Sequence, residues 1–311
     1  MHITALILTS NEELHIERCL SSVSKVADKI VVVDCFSHDN TLAIAHKYGA
    51  QILQHEWINY ATQFNWGLDQ LGRDTTWVLR LDADEYLSRK LAAEISAILP
   101  NVPSEIAGVY CERSMKFQGK MIRFGGIFPA KVLRIFRHGA GRCENRWMDE
   151  HVVLRGKTID FSGEIIDDNH NSLTWWTDKH NTYASREAAD LLNLEYRFMR
   201  ADSVASLTCG NEPAIKRWIK EKIYVRLPAG LRALLYFLYR YVLRLGFLDG
   251  EIGLTFHFLQ GFWYRYLVDA KLAEVRRYMR EHDVDVVQAI NDVLHCKVSS
   301  TPAASSRTGG M

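Results

Sequence analysis

Asp82 and Asp84 stand one residue apart at the end of an apolar run, TWVLRLDADEY over residues 76–86. The run reads as a buried strand, and in open α/β sheets ligands bind outside the carboxyl ends of the strands. Small Ala83 lets the backbone turn between the two acids, so both carboxylates can reach one hard cation. Mg²⁺ or Mn²⁺ suits such a place, because it takes one or two carboxylates and completes its shell with water and phosphate oxygens. The pair therefore suggests a cation bridging protein to a diphosphate. A solvated acidic turn, with Ser88 capping the next helix, has the same local sequence. The elements upstream decide between the two.

Those elements alternate. Residues 3–8 form a short apolar run, a buried strand. Ser10 with Glu13 three residues on has the form of a capping box, and Ile16, Cys19, Leu20 and Val23 follow as the stripe of an amphipathic helix. Residues 30–33 make a second strand ending at Asp34. Asp39 or Asn40 can cap the next helix, which Gly49 ends. Residues 51–54 are a short third strand. Ala61, Phe64, Leu68 and Leu71 give another helical face, and a helix from about Ser88 to Leu99 follows the acid pair. This rhythm predicts an α/β fold, a mostly parallel sheet with helices on both faces.

From residue 106 to about 168, short β-like runs (108–112, 132–136, 151–155) suggest mixed sheet and loops completing the same domain. The pattern turns helical again over 174–194, and the small, polar stretch 201–212 reads as a linker. Residues 213–248 carry Lys216, Arg217, Lys220, Lys222, Arg226, Arg232, Arg240 and Arg244 among aromatic and aliphatic side chains, against the single acid Glu221. FHFLQGFWYRYL at 256–267 adds aromatics. Basic and aromatic residues on apolar helices suit a bilayer interface. Arg232, Arg240 and Arg244 interrupt the longest apolar stretch and favour lying flat over spanning. A helical subdomain packed on the core, with Arg stems along apolar surface, is the competing reading. The expected division is 1–200 for the α/β domain that carries the acid pair, 213–295 for a helical membrane-associated module and 298–311 for a disordered tail.

Composition fits a folded chain: 311 residues, 48% apolar, 24% charged, net charge +1. That balance argues against a nucleic-acid partner. The six scattered cysteines form no metal-ligand spacing and read as reduced core thiols of a cytosolic protein. MHITALILTSNEE lacks a basic region and reads as a first strand, not a signal peptide.

Taken in order, ALILTSNEE, VVVDCFSHDNT, QFNWGL and LRLDADEYL resemble family 2 glycosyltransferases of the GT-A fold over roughly residues 3–180. The likeness is greatest to bacterial enzymes that extend lipopolysaccharide core or lipid-linked exopolysaccharide units. The resemblance implies that Thr9 and Glu12 contact base and ribose and that Asp34 reads a base edge. Glu12 as a first-turn acid favoured by a helix dipole is the alternative. Many relatives have a second acid where this chain has Cys35, and Arg where it has Phe64. Asn65 matches a donor-side position. Arg80, Lys131 and Arg134 are candidate diphosphate contacts, surface salt bridging being the alternative. Asp84 corresponds to the direct metal ligand and Asp82 to a ribose or metal-water contact, with His170 of DDNHN a possible further ligand. His180 is a weaker candidate that can simply sit in a helix. The base corresponds to Glu150 of NRWMDEHVV, with Asp149 as alternate, and Trp147 can stack on a sugar.

The resemblance thus implies an inverting, metal-dependent hexosyltransferase. Its donor is a nucleotide-diphosphate sugar, UDP-glucose by default. Its acceptor is a lipid-linked or lipopolysaccharide-core glycan, met by a peripheral enzyme through residues 213–267 at the cytoplasmic face of the inner membrane. Two readings compete with it. One is a haloacid-dehalogenase-type phosphatase, which Tyr86 and the motif's place after the fourth strand disfavour. The other is a non-catalytic membrane-attached scaffold, which the retained acids disfavour.

Overall fold

A computed structural model describes residues 1–144, 151–198 and 228–296. The chain divides into two compact units, Met1–Trp175 with Leu235–Gly261, and Trp176–Leu234 with Phe262–Met311. This differs from the expected 1–200 and 213–295. Residues 235–261 group with the sheet, and those following Trp175 group with the later helices.

The first unit alternates strand and helix as the sequence predicts: β1 (Ile3–Thr9), α1 (Ile16–Val23), β2 (Lys29–Asp34), α2 (Thr41–Lys47), β3 (Gln51–Gln54), α3 (Tyr60–Asp69), β4 (Trp77–Asp82), β5 (Glu85–Leu87) and α4 (Arg89–Ile98). Longer strands follow: β6 (Ile106–Phe117), β7 (Lys120–Ile122), β8 (Ala130–Arg137), β9 (Gly141–Cys143), β10 (Val152–Leu154) and β11 (Lys157–Asp168). Among the described residues the main sheet has the order β3-β2-β1-β4-β8-β6-β11-β5, with β7 paired to β6. β1 to β4 are mutually parallel, β8 runs antiparallel between β4 and β6, and β5 runs antiparallel to β11. A pair formed by β9 and β10 stands apart.

Strand alternation explains why helices cover both faces. Ile3, Ala5 and Ile7 of β1 pack with α1, α2 and α4, whereas Leu6 and Leu8 pack with Phe64 and Leu68 of α3. Helix ends follow local chemistry in part. The Asn59 and Ser88 side chains accept the backbone N–H groups of Thr62 and Leu91 and start α3 and α4. Gly49, at φ 68°, ends α2 in the left-handed conformation. The expected capping box fails. α1 begins only at Ile16, with no side-chain cap, and Glu13 instead accepts the Asn40 backbone and side-chain N–H groups at 3.0 and 2.9 Å. A long-range contact has claimed the residue a local rule assigned to the helix.

After the sheet come α5 (Leu173–Tyr196), α6 (Ala229–Leu238), α7 (Gly250–Phe256), α8 (Tyr264–His282) and α9 (Val286–Ala289), several extended by π-helical turns. In the second unit, Ala184, Ala188 and Leu192 of α5 share a core with Val268, Leu272 and Val275 of α8 and with Ile290. Of the basic residues singled out over 213–248, Arg232 pairs with Asp269. Arg240 is 1% exposed, donates to Gln260, and lies 5.5 Å from the Tyr236 and Phe256 ring centres. Both are used for internal packing. The five from Lys216 to Arg226, the 201–212 linker and the 298–311 tail lie outside the described residues. No described helix is long and apolar enough to cross a membrane.

Candidate active site

β1, β2 and β4 end side by side. Their registers set Thr9 beside Asp34 and Leu8 beside Asp82, so the polar residues expected at strand ends share one edge of the sheet. The Thr9 hydroxyl donates to Asp34 Oδ1 at 2.9 Å, and the Ser37 backbone N–H donates to Asp34 Oδ2 at 2.8 Å. Both side chains are buried, and these bonds satisfy them while turning the chain out of β2.

Glu12 lies on the loop after β1. Its Oε2 stands 2.7 Å from His15 Nδ1, and the His170 backbone N–H donates to His15 Nε2 at 2.9 Å. Nε2 is therefore an acceptor, so Nδ1 carries the proton and donates to Glu12. The segment after β11 also reaches the acid pair. Asp168 N–H donates to the Asp84 carbonyl at 3.1 Å, and Asn169 Nδ2 donates to Asp84 Oδ2 at 3.0 Å. One short stretch thus fixes both Glu12 and Asp84.

Asp82 ends β4 and Asp84 lies in the turn before β5, in unlike surroundings. Asp82 Oδ1 accepts the Tyr60 hydroxyl at 2.6 Å, and Oδ2 faces Arg134 at 3.4 Å. Burial opposes ionisation of Asp82, but Arg134, Arg80 and the Tyr60 hydroxyl outweigh it and hold the carboxyl well below the usual range. Burial pushes the Tyr60 hydroxyl above its ordinary value, so it stays a donor. Behind them lies Glu85, fully buried, accepting from Arg134 at 2.5 Å, from Arg113 at 3.0 Å and from the Asp82 backbone N–H at 3.1 Å. Arg113 also pairs with Asp167. Three carboxylates then share two guanidiniums. Burial, reinforced by the neighbouring acids, pushes Asp167 up to about 7, and burial likewise raises Glu85.

The candidate cations divide. Arg134 is 5% exposed and committed to Asp82 and Glu85. Arg80 donates to the Tyr60 hydroxyl at 2.9 Å and lies over the Tyr60 and Phe64 rings. Lys131 pairs with Asp160 where both are exposed, a surface ion pair worth about 0–1 kcal/mol. Asn65 bonds the backbone of Cys143 through both ends of its amide, at 2.8 and 2.9 Å, and so anchors β9. His170 is half exposed, with Nε2 2.8 Å from Arg18 and 3.3 Å from Asp168 Oδ1. His180 sits within α5, its ring 3.5 Å from that of Trp176. Trp147, Asp149 and Glu150 lie outside the described residues.

Among the described residues, no three His, Cys, Asp or Glu side chains are grouped to enclose a cation. Mg²⁺ needs no such cage when a substrate phosphate completes its shell. Asp84 fits that role. It is half-buried at the strand edge, Asn169 holds one oxygen, and Oδ1 takes no hydrogen bond among the described residues. The sequence alone does not single out Tyr60, Glu85, Arg113, His15 or Asn169. Alternation from Val109 through Cys111 places Arg113 on the same face of β6, the signal that could have found it.

The family model for glycosyl transferase family 2 matches residues 4–115. The chain is similar to a glycosyltransferase of Rickettsia conorii, 30% identical over 208 residues, covering 61% of this chain and 70% of the relative. It is similar also to the lipopolysaccharide core biosynthesis glycosyltransferase LpsC of Rhizobium meliloti, 29% identical over 160 residues, covering 50% of this chain and 58% of LpsC. Among solved structures, S. aureus TarS 1–349 aligns over 94% of this chain and 90% of its own, with 16% identity and a TM-score of 0.41.

Proposed function

The chain belongs to glycosyl transferase family 2, an enzyme family moving sugars from nucleotide donors, and from that premise we propose an inverting transfer of a hexose from UDP-glucose or a similar donor to a lipid-linked or lipopolysaccharide-core glycan. Likeness to LpsC supports the acceptor class. The observation that carries the reading is Asp84. It is an accessible carboxylate beside an ionised Asp82, on the sheet edge that also holds Thr9 and Asp34. A phosphatase using Asp82 as nucleophile is disfavoured by the Tyr60 and Arg134 contacts that occupy its oxygens.

Thr9 and Asp34, bonded to each other, form the floor of the nucleoside site at the strand ends, and Glu12, oriented by protonated Nδ1 of His15, faces the nucleoside. Asp84 would hold Mg²⁺ or Mn²⁺, with Asp82 facing the ribose or a water of that cation, and His170 Nε2 would join only on leaving Arg18. The cation, when bound, offsets charge developing on the departing diphosphate. Arg134 and Asn65 act by positioning: Arg134 keeps Asp82 charged, and Asn65 fixes β9, the strand that leads towards residues 145–150. Glu150, with Asp149 as alternate, takes the proton from the acceptor hydroxyl. That oxygen bonds the anomeric carbon opposite the diphosphate as the old bond breaks, inverting the configuration. The reaction takes place at the cytoplasmic face of the inner membrane.

A donor screen by thermal unfolding with Mn²⁺ tests this. At 100 times its Kd the right donor stabilises the protein by about 2.7 kcal/mol. NMR of the product from an α-linked donor should show a β-linkage. Glu150→Gln should lower turnover by about 10²–10⁴-fold. A retained α-linkage, or no response to any nucleotide sugar, overturns the reading.

A further inference from the structure

The loop after β7 and the segment after α6 meet through backbone chemistry. Buried Asp249 accepts the N–H groups of Arg123 and Phe124 at 3.0–3.2 Å, and Gly125 N–H donates to the Arg244 carbonyl at 2.9 Å. These bonds bring Arg123 and Arg244 to one pocket of about 290 Å³, lined also by Phe124, Phe128, Leu243 and Leu245. Gly126 makes room for the Arg244 guanidinium: its φ is 72°, and a Cβ there would lie 2.5 Å from Nε. Both arginines are exposed, and neither has an ion pair among the described residues. Lys120 is exposed nearby, its Nζ 3.3 Å from where a Cβ of residue 250 would stand.

Around these cations the chain leaves apolar side chains in water. Leu243 is 73% exposed, and Val242, Leu245, Phe247 and Leu248 are exposed as well. Five exposed apolar side chains within seven residues, beside the two arginines, mark an interaction surface. Charge selects its occupant. An apolar ridge beside unpaired guanidiniums complements a bilayer whose lipids carry phosphate, where alkyl groups enter the interface and arginines meet headgroups.

We propose that residues 242–248, with Lys120, Arg123 and Arg244, form a docking surface for an anionic lipid bilayer, the Arg123–Arg244 pocket taking lipid phosphate. This rests on the reading of a membrane-borne acceptor. It assigns docking to the unit that carries the acid pair, through a loop of the sheet that the basic 213–248 pattern alone does not include.

Co-sedimentation of the full chain with vesicles of phosphatidylglycerol and phosphatidylcholine against phosphatidylcholine alone tests it. Binding should need the anionic lipid and weaken with salt. Arg123→Gln and Arg244→Gln should each lower partitioning about fivefold, and the double variant about 25-fold. Leu243→Ser with Phe247→Ser should weaken it further. Vesicle binding left unchanged, at constant ionic strength, by inorganic phosphate that saturates the Arg123–Arg244 pocket would assign the pocket to a free anion and overturn its place at the bilayer. Equal binding to both vesicles, or an Arg123–Arg244 double variant that partitions as wild type, would overturn the proposal too. So would a Leu243-dependent dimer, seen by light scattering, that binds no vesicles. UDP binding with Mn²⁺, unchanged in these variants, shows intact folding. Vesicle binding should survive Asp84→Ala. A protein that binds vesicles but no nucleotide sinks the transferase reading alone, and the reverse result sinks only this one.

Discussion

Asp84 and Glu85 are neighbours with opposite environments, and the difference sets what each substitution does. Glu85 is fully buried and shared by Arg113 and Arg134. Removing its charge leaves two guanidiniums in low dielectric with less compensation. Breaking a buried ion pair from one side costs about 3–5 kcal/mol, far more than the pair adds relative to an apolar replacement. Glu85→Gln should therefore lower unfolding free energy by about 3 kcal/mol in a urea titration. Asp84 is half-buried with one side-chain hydrogen bond to Asn169, so Asp84→Asn should cost about 1 kcal/mol or less. Its effect should appear elsewhere, as loss of the Mn²⁺-dependent part of nucleotide binding in calorimetry. Equal stability losses in the two variants would contradict this assignment. The acid pair is legible in DADEY because two aspartates close an apolar run. The role of Glu85 is not, because its partners arrive from β6 and β8, far along the chain.

At the scale of elements, β1 to β4 and their helices are legible from apolar runs and stripes that repeat locally. β11 is less so. Phe161, Gly163, Ile165 and Asp167 form its buried face, and a glycine and an acid in that row hide the alternation. Gly163 has its own reason. A Cβ there would lie 2.4 Å from the Leu91 backbone, so α4 rests directly on the strand. Gly163→Ala should push α4 away and lower stability by about 1–3 kcal/mol, measured by chemical denaturation. A neutral result would mean that α4 shifts freely. In α5, the His180 ring stacks on Trp176, and its Nδ1–H donates to the Trp176 carbonyl at 2.8 Å. Burial depresses its pKa to about 4. The neutral form is favoured in the folded state, so this stability is present above the unfolded pKa of about 6.5 and is lost as pH falls through 4. Part of the acid-side fall in melting temperature between those pH values should vanish in His180→Phe. An unchanged pH profile would remove His180 from that account.

The whole molecule consists of two units with separate chemistry. The strand ends, the acid pair and the Glu85 network all belong to residues 1–175, whereas α8, α9 and most of α5 make a core of their own. Composition does not reveal that division. Residues 213–267 look like one basic-aromatic block, yet 235–261 group with the sheet because Asp249, Gly125 and Arg244 tie them to the β7 loop. A ligand that binds one unit raises the opening free energy only of the parts whose exposure abolishes its site. UDP with Mn²⁺ should therefore slow amide exchange at the carboxyl ends of β1, β2 and β4 and across residues 168–171, which join Glu12 to Asp84 through His15 and Asn169. Val268, Leu272 and Val275 of α8 should exchange at the same rate with and without nucleotide. In Asn169→Ala the added protection near Glu12 should persist while that near Asp84 declines, since only the latter loses its hydrogen bond. Uniform slowing through α8 would mean that the two units open together, and protection absent from β1 and β4 would place the nucleotide away from this sheet edge.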